Sequence, residues 1–158
     1  MGARSLGRWF EELPVGLVVK HAMTRTVIDA DNVLFSCLTM NPQQIHLDAA
    51  YASTTEFGRP LVNGVFTLGL VVGLSIPELV YGTTIANLSF QEVTYPNPVF
   101  AGDTISSETE VIESRVSRSR PDAGVVTFQH RGFKGERELV CLARRTALIR
   151  RQPADGSR

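Results

Sequence analysis

The stretch from Val65 to Ile76, VFTLGLVVGLSI, is apolar or small at nearly every position. A helix with no polar face has to be enclosed by other elements, and this run is too long for a single buried strand. Gly64, Gly69 and Gly73 each cost about 1 kcal/mol of helix propensity in a helix interior, which close approach of neighbouring backbone would offset. Asn63, Pro77 and Glu78 interrupt the wider stretch from Val62 to Val80 and argue against a membrane span.

The second half of the chain changes character. Segments 83–94, 104–118, 124–134 and 138–150 are rich in Thr, Val, Ile and Phe. Between them lie Tyr95-Pro-Asn-Pro, Ala101-Gly-Asp, Arg120-Pro-Asp-Ala-Gly and Lys134-Gly-Glu, all suited to turns. One enclosed helix followed by a run of antiparallel strands predicts an α+β arrangement in which a curled sheet wraps the helix. Upstream, Val15–His21 reads as a short strand. Asp29–Asn32 then offers N-cap chemistry to the run Val33, Leu34, Phe35, Cys37, Leu38, in a helix ending near Asn41-Pro42. A short helix is expected around Asp48–Thr54, capped by Asp48. The 158 residues suit one domain, taken as 8–151 with frayed ends at 1–7 and 152–158.

Sixteen basic residues balance sixteen acidic ones without a long block of one sign, so the electrostatic footprint of a nucleic-acid binder is missing. Cys37 and Cys141 stand alone, without a second Cys or a His at metal-ligand spacing, so neither a disulfide framework nor a metal site is expected. The N-terminus lacks the apolar region of a secretory signal, and a reducing cytoplasm is the default.

Three segments, in order, resemble the MaoC-like (R)-specific enoyl-CoA hydratases, a hot-dog family. In LTMNPQQIHLDAAYASTTEFGRPLVNG, His46 falls on the histidine of the hydratase motif, followed by Leu47-Asp48, and Arg59-Pro60 with Gly64 falls on the element that opens the central helix. Asn87-Leu-Ser-Phe-Gln91 resembles the strand that runs along the acyl group, and Pro98–Asp103 resembles the turn after it. One departure stands out: where the family has aspartate five residues before the histidine, this chain has Asn41, which cannot take a proton.

The resemblance implies a hot-dog homodimer or higher homo-oligomer acting on an acyl-CoA, with no metal or organic cofactor. Hydrating a conjugated thioester needs a base for water, an acid for the α-carbon and a donor at the thioester oxygen. His46 is implied as base and then acid, Asn41 as the group orienting water, and the Gly64 amide as the donor. Asn41 alternatively only caps the preceding helix. Arg59, Asn63, Asn87, Ser89 and Phe90 are implied as substrate contacts. Arg115, Arg118 and Arg120 suit either CoA phosphates or, more simply, a solvated hairpin tip. Two rivals share the fold: an acyl-CoA thioesterase, and a silent subunit of a heterodimeric dehydratase.

Overall fold

The computed structural model describes residues 7–153. After a 3-10 turn at Phe10–Glu12 come strands β1 (Val18–Lys20) and β2 (Arg25–Thr26), then helices α1 (Asp29–Leu38), α2 (Gln44–Leu47), α3 (Ala49–Ala52) and α4 (Gly64–Leu79). Four long strands follow: β3 (Thr84–Thr94), β4 (Thr104–Val116), β5 (Ala123–Lys134) and β6 (Glu138–Arg150). Among the described residues they form one antiparallel six-stranded sheet of order β1-β4-β5-β6-β3, with β2 also on β4. This is the expected hot-dog arrangement, and its four long strands lie where the turn chemistry placed them.

Alternation along the strands sends one face of the sheet onto α4. Val71 and Leu74 pack with Ile105, Val140, Cys141 and Ala143, and Leu79 packs with Val111, Phe128 and Ile149. Gly132 lies where a Cβ would meet the Val71 side chain at 2.3 Å, so the strand passes under the helix at a glycine. The Ser107 hydroxyl donates to the Val71 carbonyl at 2.9 Å, tying strand to helix.

Four expectations change. First, α4 is enclosed on one side only: Val65 is 60% exposed, and a Cβ at Gly69 or Gly73 would meet nothing within 4 Å. A single curled sheet cannot surround a helix, so no close backbone approach offsets those glycines within this chain. Second, α1 begins at Asp29 rather than after Asn32, and it ends at Leu38. Asp31 makes its cap by accepting the Ile28 amide at 3.0 Å. The inward residues of α1 are the polar Asn32 and Ser36, while Val33, Leu34 and Leu38 face outward. Third, an additional short helix, α2, holds His46 ahead of the expected one, α3, which Asp48 caps as expected by accepting the Tyr51 amide at 3.0 Å. Fourth, residues at the expected frayed ends are held: Gly7 is buried and the Gln152 amide donates to Glu11. The expectation for 1–6 and 154–158 lies outside the described residues. At the β4–β5 hairpin Arg120 pairs with Asp122 at 2.6 Å, as a solvated tip would.

Candidate active site

The segment carrying His46 and the segment leading into α4 are held together by one buried side chain. Asn32, projecting inward from α1 and 4% exposed, donates through Nδ2 to the carbonyls of His46 and Leu61, both at 3.0 Å. Its Oδ1 accepts the Asn63 amide at 2.9 Å. The Leu61 amide adds a bond to the Ile45 carbonyl. All three bonding positions that Asn32 uses are backbone groups, so it sets the spacing between the histidine and the helix start.

His46 Nδ1 lies 2.7 Å from the Leu61 carbonyl oxygen. A carbonyl only accepts, so Nδ1 carries the hydrogen and Nε2 of the neutral ring keeps its lone pair. The half-buried imidazole is therefore fixed in the tautomer that a general base needs.

Gly64 is the first residue of α4, so its amide has no acceptor within the helix and lies at the positive end of the helix dipole. Asn63 is buried and caps the helix, its Oδ1 accepting the Val65 amide at 3.0 Å. Gly64 lines a cavity of about 360 Å³ with Phe57, Leu61, Thr67, Tyr95 and Val140. A Cβ at residue 64 would stand 3.1 Å from the Tyr95 ring, so the glycine keeps that gap open. Burial raises the Tyr95 phenol above its ordinary range, with a smaller push from Cys141.

Asn41 lines a second cleft, of about 410 Å³, with Ser36, Cys37, Met40, Pro42 and Leu47. Its Oδ1 accepts the Gln43 amide at 3.1 Å, leading the chain into α2, while its own amide closes α1 by donating to the Ser36 carbonyl at 2.9 Å. The buried Ser36 hydroxyl in the same cleft finds no hydrogen-bond partner in the chain.

The remaining expected contacts lie apart. Arg59 is exposed and stacks its guanidinium 4.1 Å from the centre of the Phe100 ring, which in turn packs on Phe57 at 6.3 Å. Asn87, Ser89 and Phe90 sit on β3, in register with Ala147, Thr146 and Arg145 of β6, and none lines either cleft. Asn32, Ser36 and Tyr95 were not picked out from the sequence. The signal for Asn32 and Ser36 is their spacing, i and i+4 on one face of α1, which the reading of Asp29–Asn32 as N-cap chemistry passes over.

The family description "MaoC like domain" matches residues 11–132, and the chain belongs to that family. It is 28% identical over 146 residues to a mesaconyl-CoA hydratase from Cereibacter sphaeroides, covering 92% of this chain and 42% of that one. It is 34% identical over 98 residues to an (R)-specific enoyl-CoA hydratase from Aeromonas caviae, covering 62% of this chain and 70% of that protein. Among solved structures, a monoamine oxidase regulatory protein from Archaeoglobus fulgius superposes with a TM-score of 0.82 at 30% identity, covering 93% and 97% of the two chains. A Mycobacterium tuberculosis protein described as a double hotdogfold superposes with a TM-score of 0.84 at 22% identity, covering 96% of this chain and 47% of that one, a likeness of fold alone. The chain thus spans about two-fifths of the length of the mesaconyl-CoA hydratase that it matches. No helix among the described residues is long and apolar enough to cross a membrane.

Proposed function

We propose that this chain is a hydro-lyase that reversibly hydrates a short, branched or dicarboxylic 2-enoyl-CoA to the (R)-3-hydroxyacyl-CoA. The observation that carries this reading is the His46 Nδ1 bond to the Leu61 carbonyl, which leaves Nε2 free to move a proton. In the hydration direction Nε2 takes a proton from water as the water oxygen bonds to C3, and returns a proton to C2. The Gly64 amide donates to the thioester oxygen as it gains enolate charge, and Asn41 orients the water without accepting its proton. The family names on the matched relatives support CoA-thioester hydration in general; the acyl group is part of the proposal.

The working unit is two copies of the chain, in a reducing cytoplasm. Three observations support the pairing. The outer edge of β3 is unpaired, and an open strand edge invites a partner. Val65 on α4 and Leu34 and Leu38 on α1 are exposed. The double-hotdog neighbour holds two such units where this chain supplies one.

The test is a panel of enoyl-CoAs incubated with the full chain, following the enoyl-thioester absorbance and free thiol together, with the oligomeric mass measured on the same sample. Loss of absorbance without thiol release is expected. Thiol release would make the protein a thioesterase instead, and no turnover by a folded, paired protein would make it a silent acyl-CoA-binding subunit.

A further inference from the structure

Away from His46, the inner face of the sheet carries a row of buried polar groups that the proposed reaction does not use. At its outer end Glu78 of α4 accepts from His21 Nδ1 at 2.9 Å and also receives the Ala22 amide. His21 Nε2 lies 2.9 Å from the Thr109 hydroxyl, which lies 2.8 Å from His130 Nδ1. Beyond His130 the row reaches Arg145, on the same face of β6 as the core residues Ala143 and Ala147. The Arg145 guanidinium lies 5.2 Å from the Phe128 ring centre, and the His130 ring packs 5.9 Å from that same ring.

His130 is fully buried and Arg145 is 4% exposed. Among the described residues, His130 Nε2 and the Nε and Nη2 of Arg145 have no hydrogen-bond partner, and no ion pair includes Arg145. Burial lowers the guanidinium only to about 10, so at neutral pH it is a cation. Buried polar groups, charged ones above all, are costly when unpaired.

The direction of the row says what partner suits them. As a carboxylate Glu78 only accepts, so His21 Nδ1 carries its hydrogen. With His21 neutral, its Nε2 then accepts the Thr109 hydroxyl hydrogen. The Thr109 oxygen in turn accepts from His130 Nδ1. That leaves a lone pair on His130 Nε2, facing outward from the last bond of the row, while Arg145 offers only donors. An anion would suit the guanidinium but be repelled by the lone pair. A water suits both, since it accepts from Nε–H and Nη2–H and donates to Nε2, making the three bonds usual for internal waters.

We infer that one buried water molecule is bound between His130 and Arg145 on the inner face of the sheet, closing a directed hydrogen-bond relay that begins at Glu78. The relay links the surface carboxylate, whose side chain is 38% exposed, to a cation in the core, through hydrogens that all point the same way.

A crystal structure of the full chain grown from a bromide salt, at a resolution that shows ordered waters, reads the site directly. The expected result is a peak of water strength within hydrogen-bond distance of His130 Nε2 and of Arg145, with no bromide anomalous signal. A bromide peak there, a direct His130–Arg145 hydrogen bond, or a dry gap would each overturn the inference. Ring nitrogen NMR at neutral pH provides the second measurement: His130 is expected as the Nδ1–H tautomer, and an Nε2–H tautomer would overturn the direction of the relay on which the choice of water rests.

Discussion

The two ends of α4 hold histidines in opposite ways. At the N-terminal end His46 gives its Nδ1 hydrogen to a backbone carbonyl and keeps Nε2 at a half-exposed position. Toward the other end His21 and His130 are buried, and their ring nitrogens are joined through the Thr109 hydroxyl. The rings of His21 and His130 are shut away from solvent, whereas that of His46 is half-exposed. The second partner and its accessibility, rather than the residue type, separate a candidate base from a structural group.

That contrast is broken most severely at His46. His46→Ala should lower turnover by about 10² to 10⁴, the usual effect of losing a general acid–base group, while the thermal midpoint changes little. Steady-state rates on the best enoyl-CoA of the panel measure it. A loss under about threefold, corresponding to less than 1 kcal/mol of barrier, would place the chemistry elsewhere.

Asn32 comes next, because it is what makes the N-terminal end of α4 a site. Asn32→Ala strands the His46 carbonyl and the Asn63 amide, while the Leu61 carbonyl keeps its bond from His46 Nδ1. With a buried unsatisfied group costing about 1–3 kcal/mol, a net destabilisation of about 3 kcal/mol is expected by urea unfolding. Turnover of the folded variant should also fall more than about tenfold, through kcat rather than KM, since misplacing a reacting group is felt in the barrier. Destabilisation with an unchanged kcat would make Asn32 purely structural.

How much of this was legible in the sequence can be traced residue by residue. The four long strands were, because Thr, Val, Ile and Phe segments bounded by Pro and Gly turns leave few alternatives. Gly64 as the residue that opens the central helix was, through the spacing of its motif. The inward orientation of Asn32 was not. Helical periodicity puts the apolar face of an isolated helix inside, whereas α1 turns Val33, Leu34 and Leu38 outward and spends its inner face on backbone bonds made across 14 to 31 residues of chain. Such bonds depend on tertiary proximity, which no local pattern encodes. The one-sided enclosure of α4 was missed for a related reason: an all-apolar helix announces that it must be covered, but not whether its own chain does the covering.

The buried pair supplies a pH test of the same contrast. Burial holds His21 below the ordinary histidine range despite the opposing pull of Glu78, and holds His130 well below it, with the Arg145 charge adding to the effect. In the unfolded chain both titrate near about 6.5. As pH falls through that value the unfolded chain takes up protons that the folded chain refuses, so stability present above about pH 7 is lost on acidification. The slope is at most about 1.4 kcal/mol per pH unit for each ring. Urea midpoints measured between about pH 5 and 7.5 should therefore rise with pH, and the slope should persist in His46→Ala. A flat or falling profile would mean that the two rings are not buried neutral.

The smallest effect is expected at Asn41, where the motif resemblance implies an aspartate. Asn41→Asp keeps the size and shape of the side chain and the oxygen that accepts the Gln43 amide. A carboxylate accepts that bond at least as well as an amide does. The position is only half-buried, so the new charge stays partly solvated and its desolvation cost is small. The variant should thus fold as the wild type does. If His46 alone moves the protons and Asn41 only orients water, a second base at residue 41 adds little, and turnover should stay within about tenfold of wild type, about 1.4 kcal/mol in the barrier. A collapse to background would mean that the cleft lined by Ser36 and Asn41 is built around a neutral amide. A rise of much more than tenfold from a nearly inactive wild type would mean that the lost aspartate had silenced the site, and would turn the reading toward a subunit that binds acyl-CoA without hydrating it.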